Sequence, residues 1–346
     1  MTTVYVVVPD GIDDPERASG GNTYDRRICR ELAAIGWSVH ERAVPGPWPS
    51  ADAAARAALA DALAAAPDRA VVLVDGLIAS AAPGVLVPET DRLRLVVLVH
   101  MPLWDDAPRE RTVLAAAAAV VTTSVWTRNE LLDRYGLRPA QVHVAEPGVE
   151  PADLVPGSSS GGRLLCVAAV TQQKGHDVLL EALASVQDLV WRCVCVGTLD
   201  RDPGLSGHLA RQAQELGIGD RVSFVGARTG RNLDAAYDAA DVLVHPSRAE
   251  TYGMVVSEAL GRGLPVIATS VGGVPEALGH GAEGCLPGLL VPPSDPQAFA
   301  EALRRWLGDA DLRSRLRLAA SQRRLTLSDW STTTGRLARV LDQVAA

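Results

Sequence analysis

Residues 245–278, HPSRAETYGMVVSEALGRGLPVIATSVGGVPEAL, run from a strand exit through a helix into the next strand and its turn. The apolar run Val242-Leu243-Val244 just before it stops at His245-Pro246, the pattern of a buried parallel strand ended by proline. Ser247 to Gly253 is polar and loop-forming, MVVSEAL is helical in pattern up to Gly261 and Gly263, and Pro265 to Ala268 is the next strand. Free N–H groups at the helix start, around Tyr252, Gly253 and Met254, make an anion site at the positive end of the helix dipole. Glu258 falls three and four positions after Val255 and Met254, so it shares a face with apolar residues, where an ionised carboxylate is costly without a partner. A carboxylate accepts two hydrogen bonds from a vicinal diol, and a ribose supplies one. Glu250, ahead of the helix, can take a sugar on the other side of the same phosphates. Spacing alone leaves two solvated surface carboxylates as the alternative.

The ordered run E-T-Y-G-M-V-V-S-E-A-L-G-R-G-L-P-V-I-A-T, followed by S-V-G-G-V-P-E, resembles the E-x7-E signature of the retaining GT-B glycosyltransferases of family 4. That resemblance implies an α/β GT-B fold: two Rossmann-like, doubly wound parallel-sheet domains facing a cleft. It also implies a nucleotide-diphosphate-sugar donor, UDP- or GDP-linked, with Glu250 on the donor sugar and Glu258 on the nucleotide ribose.

At 346 residues the chain can carry two domains with separate cores. A net charge of -8 argues against nucleic acid as a partner and means that an anionic substrate must be held by local cations and helix ends. No apolar segment is long enough to span a bilayer, and MTTVYVVVPDG runs into a turn and not a cleavage site, so the expectation is a cytoplasmic protein without stable membrane insertion. The cysteines, five in number, show no zinc spacing, and Cys193 and Cys195 in WRCVCVG read as core. Seven arginines between Arg304 and Arg324 read as solvated helix faces.

Along the chain, Val4 to Val8 is the first buried strand, followed by a polar loop ending in Ser19-Gly20-Gly21-Asn22 and a helix, TYDRRICRELAAIG. A glycine pair before a helix lets amides approach a phosphate, though cheap turns explain it equally well. The resemblance assigns Gly20 and Gly21 to the donor diphosphate and the acceptor. Val71 to Val74 ends in Asp75-Gly76 and Leu95 to Val99 ends in His100, and ligands gather at carboxyl ends of parallel strands. A lone histidine is commonly structural; the resemblance implies that His100 approaches the donor sugar. Glu146-Pro147-Gly148-Val149 resembles the family's hinge turn. The expected domains are 1–150 on the acceptor side, a linker at 151–162, a nucleotide-sugar domain at 163–327, and a final helix at 328–346 crossing back to the first domain.

The segment leading to Gln172-Gln173-Lys174-Gly175 resembles the family's G-R-x4-K-G, in which two cations neutralise the diphosphate. Lys174 matches, but Ala168-Ala169 stands where Gly-Arg is expected, and Arg228 is the candidate replacement. The resemblance places nucleobase recognition at Val225 to Arg228. Asp200-x-Asp202 and Asp309-x-Asp311 mimic a metal-binding D-x-D; GT-B enzymes typically need none, and no metal or separate cofactor is expected. The acceptor is expected to be a small molecule or glycan, and the protein a monomer or homodimer. A nucleotide-sugar epimerase of the same fold and a non-catalytic nucleotide-sugar sensor are the rival readings. A dehydrogenase is disfavoured, because no G-x-G-x-x-G opens a helix.

Overall fold

Short runs rich in Val, Leu and Ile, three to seven residues long and mostly buried on both faces, form two parallel sheets in a computed structural model that describes residues 2–14, 19–104 and 107–346. Residues 15–18 of the polar loop thus lie outside the described residues. The chain divides into one unit made of residues 1–148 and 328–346 and another of residues 149–327.

In the first unit, β1 (Thr3–Pro9), β2 (Ser38–Val44), β3 (Val71–Asp75), β4 (Arg94–Val99), β5 (Ala119–Thr122) and β6 (Val142–Val144) pair in the order β2-β1-β3-β4-β5-β6. Every described pairing in it is parallel. The order reverses between β1 and β3, which opens the crevice where doubly wound sheets bind ligands. The helix Gly20–Ala34 begins earlier than the sequence pattern suggests. Ser19 accepts a hydrogen bond from Asn22 N at 3.1 Å, so Gly20 and Gly21 form the first helical turn and not a loop ahead of it.

The last helix, Trp330–Ala345, packs in this same unit. Its Thr333 hydroxyl donates to the Glu146 carbonyl at 2.7 Å, Arg336 pairs with the Glu146 carboxylate at 2.8 Å, and Trp330 meets Tyr24 edge-on. Gly148 is required by close approach, since a Cβ there would lie 2.3 Å from Trp330 N.

In the second unit, β7 (Arg163–Val167), β8 (Arg192–Val196), β9 (Val222–Phe224), β10 (Val242–His245), β11 (Val266–Thr269) and β12 (Gly288–Val291) pair in the order β12-β11-β10-β7-β8-β9. The described pairings are again parallel, and the reversal falls between β7 and β10. The Pro-, Gly- and Ser-rich stretch before β7 is irregular but tied down. Asp241, fully buried, accepts from Ser158 Oγ at 2.6 Å and pairs with Arg163 at 3.1 Å, and Val155 N donates to the Arg262 carbonyl at 2.9 Å.

On the arginine-rich helices, Pro296–Gly308 and Ala310–Arg324, Arg304, Arg305 and Arg315 are exposed as expected, whereas Arg313 is buried and Arg317, Arg323 and Arg324 are half-buried. Arg313 donates to the Trp306 and Ser159 carbonyls, Arg317 to that of Ser158, Arg323 to that of Leu278, and Arg324 to those of Gly261 and Ala152. Irregular backbone, as at Ala152, Ser158 and Ser159, and the last turns of helices, as at Gly261, Leu278 and Trp306, leave carbonyls unpaired, and guanidinium groups with several donors satisfy them.

Candidate functional site

The exits of β7 and β10 sit side by side at the reversal of the second sheet, so the loops leaving them meet. After β7 comes a single turn, Gln172–Lys174, closed by Gly175 in the left-handed region at φ 66°. A Cβ on Gly175 would lie 2.2 Å from the Pro246 carbonyl oxygen. Glycine therefore lets the turn press against the exit of β10 and carries Lys174 to the loop that follows. Lys174 Nζ donates to Glu250 Oε2 at 2.6 Å, and the His245 Nε2 atom lies 3.2 Å from that same oxygen. His245 is fully buried at the end of β10. Burial works against the Glu250 carboxylate, but the charge of Lys174 and the His245 ring more than offset it and bring its pKa down to about 2.

Three residues on, Gly253 caps the helix Met254–Gly261 in the left-handed region, with φ 97°. Tyr252 is buried and its hydroxyl accepts from Ser257 at 3.2 Å; Met254 is half-buried. Glu258, one turn further, has the partner that its apolar surroundings require. The Tyr237 hydroxyl donates to Oε2 at 2.8 Å, while Arg262 stacks over the Tyr237 ring at 4.5 Å. Burial outweighs these two influences, so the Glu258 carboxyl stays above its ordinary value.

Lys174, Glu250 and His245 thus form one cluster, with Tyr252, Gly253 and Met254 next in the chain and Glu258 on the helix they open. Val225 lies at the end of β9, where its N–H donates to the Cys195 carbonyl at 3.0 Å. Arg228, three residues later, is exposed. The guanidinium beside the Lys174 turn is that of Arg248, which donates to the Gln172 carbonyl at 2.8 Å and grips Asp177 at 2.6 Å. Asp202 and Asp309 of the two D-x-D stretches cap helices, accepting from Leu205 N at 3.0 Å and Leu312 N at 2.8 Å.

In the first unit, His100 leaves β4 next to Gly21: a Cβ there would be 3.2 Å from His100 Cδ2, so the missing side chain makes room for the ring. His100 Nε2 lies 2.7 Å from Asp25 Oδ1 and 3.8 Å from Asp75 Oδ2. Asp25 is buried on the helix that Gly20 and Gly21 begin, and the chain pattern gave no sign of it. Burial disfavours the charged ring, but Asp25 and then Asp75 overcome this and raise the His100 pKa.

Two groups among the described residues could hold a metal ion: Asp25, Asp75 and His100, and Cys166, His176 and Cys195. The second set is buried, on neighbouring strands β7 and β8 and the first turn of the helix His176–Ala184, with Cys166 Sγ 3.8 Å from His176 Nε2. Sequence spacing could not reveal it, because the ligands come from three elements.

Residues 159–323 match the family described as Glycosyl transferases group 1. The D-inositol 3-phosphate glycosyltransferase of Salinispora tropica is 33% identical over 261 residues, covering 68% of this chain and 53% of the relative. Its counterpart in Streptosporangium roseum is 35% identical over 250 residues, covering 67% and 56%. The chain therefore spans little more than half the length of these curated relatives. Among solved structures, the sucrose-phosphate synthase of Thermosynechococcus elongatus aligns with a TM-score of 0.80 at 22% identity, over 99% of each chain. Anabaena HepE in complex with UDP-glucose aligns with a TM-score of 0.79 at 17% identity, over 99% of this chain and 100% of that one. At these identities the likeness is one of fold, the GT-B class of two Rossmann-like domains.

Proposed function

Residues 159–323 are a domain of the glycosyl transferases group 1 family, and from that premise we propose that the chain transfers a hexose-type sugar from a UDP- or GDP-linked donor to a hydroxyl acceptor, with retention at the anomeric carbon. The observation that carries this reading is the Lys174–Glu250 pair, 2.6 Å apart where the loops leaving β7 and β10 meet. An ammonium there can pass from a carboxylate to a diphosphate oxygen, and a carboxylate kept ionised can accept hydrogen bonds from sugar hydroxyls. Glu258, held by Tyr237 beside the helix start, is assigned to the ribose diol, and the N–H groups of Gly253 and Met254 to the phosphates. HepE was solved with UDP-glucose, which supports a UDP-linked donor.

In the proposed reaction the bond from the anomeric carbon to the phosphate oxygen breaks first, through an oxocarbenium-like state. Lys174 and the helix-end amides stabilise the departing diphosphate, since electrostatic stabilisation of developing charge is the largest catalytic lever such a site has. The acceptor oxygen then bonds to the anomeric carbon on the same face, and its proton passes to the departing phosphate oxygen. No divalent ion enters the scheme. His100 is assigned to the sugar, and Val225 to Arg228 to the base, on the family resemblance alone.

Incubating the purified chain with UDP- and GDP-hexoses and small hydroxyl acceptors tests the proposal. A new glycosidic bond with the donor's anomeric configuration is expected. An epimerised sugar nucleotide, or nucleotide binding without turnover, would reject transfer in favour of an epimerase or a sensor.

A further inference from the structure

The second sheet carries a group of soft donors that the nucleotide site does not use. Strand alternation puts Cys193 and Cys195 on one face of β8, and the parallel register sets Cys166 of β7 directly beside Cys195. All three are buried in the core of this unit. His176, 2% exposed on the first turn of the helix His176–Ala184, reaches the same group: one ligand atom from each of Cys166, Cys195 and His176 lies within 4.8 Å of the other two. The Cys195 thiol also meets that of Cys193. An imidazole is an expensive core residue. His176 Nδ1 is buried without a hydrogen-bond partner and Nε2 lies 3.8 Å from Cys166 Sγ, so the protein alone leaves the ring poorly satisfied. The 3.8 Å separation fits another arrangement. Bonds of about 2.3 Å from sulfur and about 2.0–2.1 Å from imidazole nitrogen, meeting at one ion, hold the two donors roughly 3.6–3.8 Å apart.

We propose that Cys166, Cys195 and His176 are the ligands of a structural site for a soft divalent cation of the zinc type. Thiolate and imidazole donors suit zinc, whereas hard cations such as magnesium take oxygen ligands. Both thiols give up their protons to solvent as their bonds to the ion form. The two thiolates then balance its two charges, so the loaded site adds no net charge to apolar surroundings. The coordinate bond at Nε2 repays the burial of the ring, and the Cys193 thiol stands next to Cys195 as a further soft donor. The ligands come from β7, β8 and the helix that opens two residues after Lys174, so the ion ties three elements together and fixes the helix start behind the Lys174 turn. With its ligands closed off in the core, the ion enters while the chain folds. No step of the proposed transfer passes through it.

The test uses the full chain refolded with Co2+ or Zn2+. Cobalt should give thiolate-to-metal charge-transfer absorption that saturates at about one equivalent and disappears when zinc replaces it. X-ray absorption of the zinc-loaded chain should show both sulfur and nitrogen in the ligand shell. With zinc at about 1,000 times its dissociation constant, the unfolding midpoint should rise by roughly 8–16 °C over the chain refolded with chelator. Cys166→Ala and His176→Gln should lose the absorption and the shift, whereas Cys285→Ala, at an exposed cysteine, should keep both. Wild type that shows no charge-transfer absorption after refolding, or an unmoved midpoint, overturns the proposal whatever the variants do. So does a shell of oxygen and nitrogen only, which would put the ion on carboxylates and imidazole such as Asp25, Asp75 and His100. Absorption that persists undiminished in Cys166→Ala marks an adventitious ion only and overturns it as well. Where that variant fails to fold, the absorption and ligand shell of the wild type decide.

Discussion

Replacing Glu250 with glutamine keeps the shape of the side chain and removes the charge that Lys174 Nζ meets at 2.6 Å. The Glu250 carboxyl, 14% exposed, has its pKa lowered from 4.5 to about 2. A difference of about 2.5 pH units at roughly 1.36 kcal/mol each gives about 3 kcal/mol of stability tied to ionised Glu250. Because the folded value is the lower one, this contribution is complete above the ordinary glutamate range and is lost as pH falls through about 2; near pH 3 about 1.4 kcal/mol should remain. Thermal unfolding of the wild type and Glu250→Gln, without nucleotide, reads it directly. For a unit of this size each kcal/mol moves the midpoint by roughly 2–4 °C, so the gap should be about 6–12 °C at pH 7 and about half that at pH 3. A gap worth less than about 1 kcal/mol at pH 7, or one that does not shrink in acid, would refute the argument that the carboxylate is held ionised by Lys174 and His245.

Glu258 differs in sign, because burial keeps its pKa raised, so its ionised form is lost sooner as pH falls. UDP affinity should fall with pH more steeply in the wild type than in Glu258→Gln, and Glu258→Gln should weaken binding about 10- to 100-fold at pH 8, the worth of hydrogen bonds to a charged group; equal affinity for the variant removes the ribose assignment. Gly148→Ala puts a Cβ 2.3 Å from Trp330 N, against backbone that cannot turn aside. It should cost about 3 kcal/mol in urea unfolding, and a loss under about 0.5 kcal/mol would show that the last helix is not seated there as described.

Much of the fold was legible because parallel strands buried on both faces leave continuous apolar runs, and turns leave glycine and proline. Val71 to Val74, Leu95 to Val99 and Val242 to Val244 are such runs, and the residues at their exits, Asp75, His100 and His245, followed from that reading. Lys174 and Glu250 were legible as separate motif residues, yet their contact depends on Gly175 passing close to Pro246, which no local pattern encodes. Asp25 looked like an ordinary polar position in an amphipathic helix, because its partners come from β3 and from the exit of β4. Tyr237 reaches Glu258 across 21 residues in the same way. The helix start at Gly20 was missed because glycine disfavours helices, whereas the Ser19 cap satisfies the first turn. The arginines at Arg313, Arg317 and Arg324 read as surface because charge patterns do not reveal which carbonyls lack partners.

The central claim is that Lys174 holds the diphosphate of a nucleotide donor within the group 1 domain. Calorimetric titration of UDP and GDP into the wild type and Lys174→Ala measures it. Saturable binding of at least one nucleotide to the wild type, weakened about tenfold or more in the variant, is the predicted result. Equal affinity in both proteins, or no binding of either nucleotide to the wild type, would contradict it.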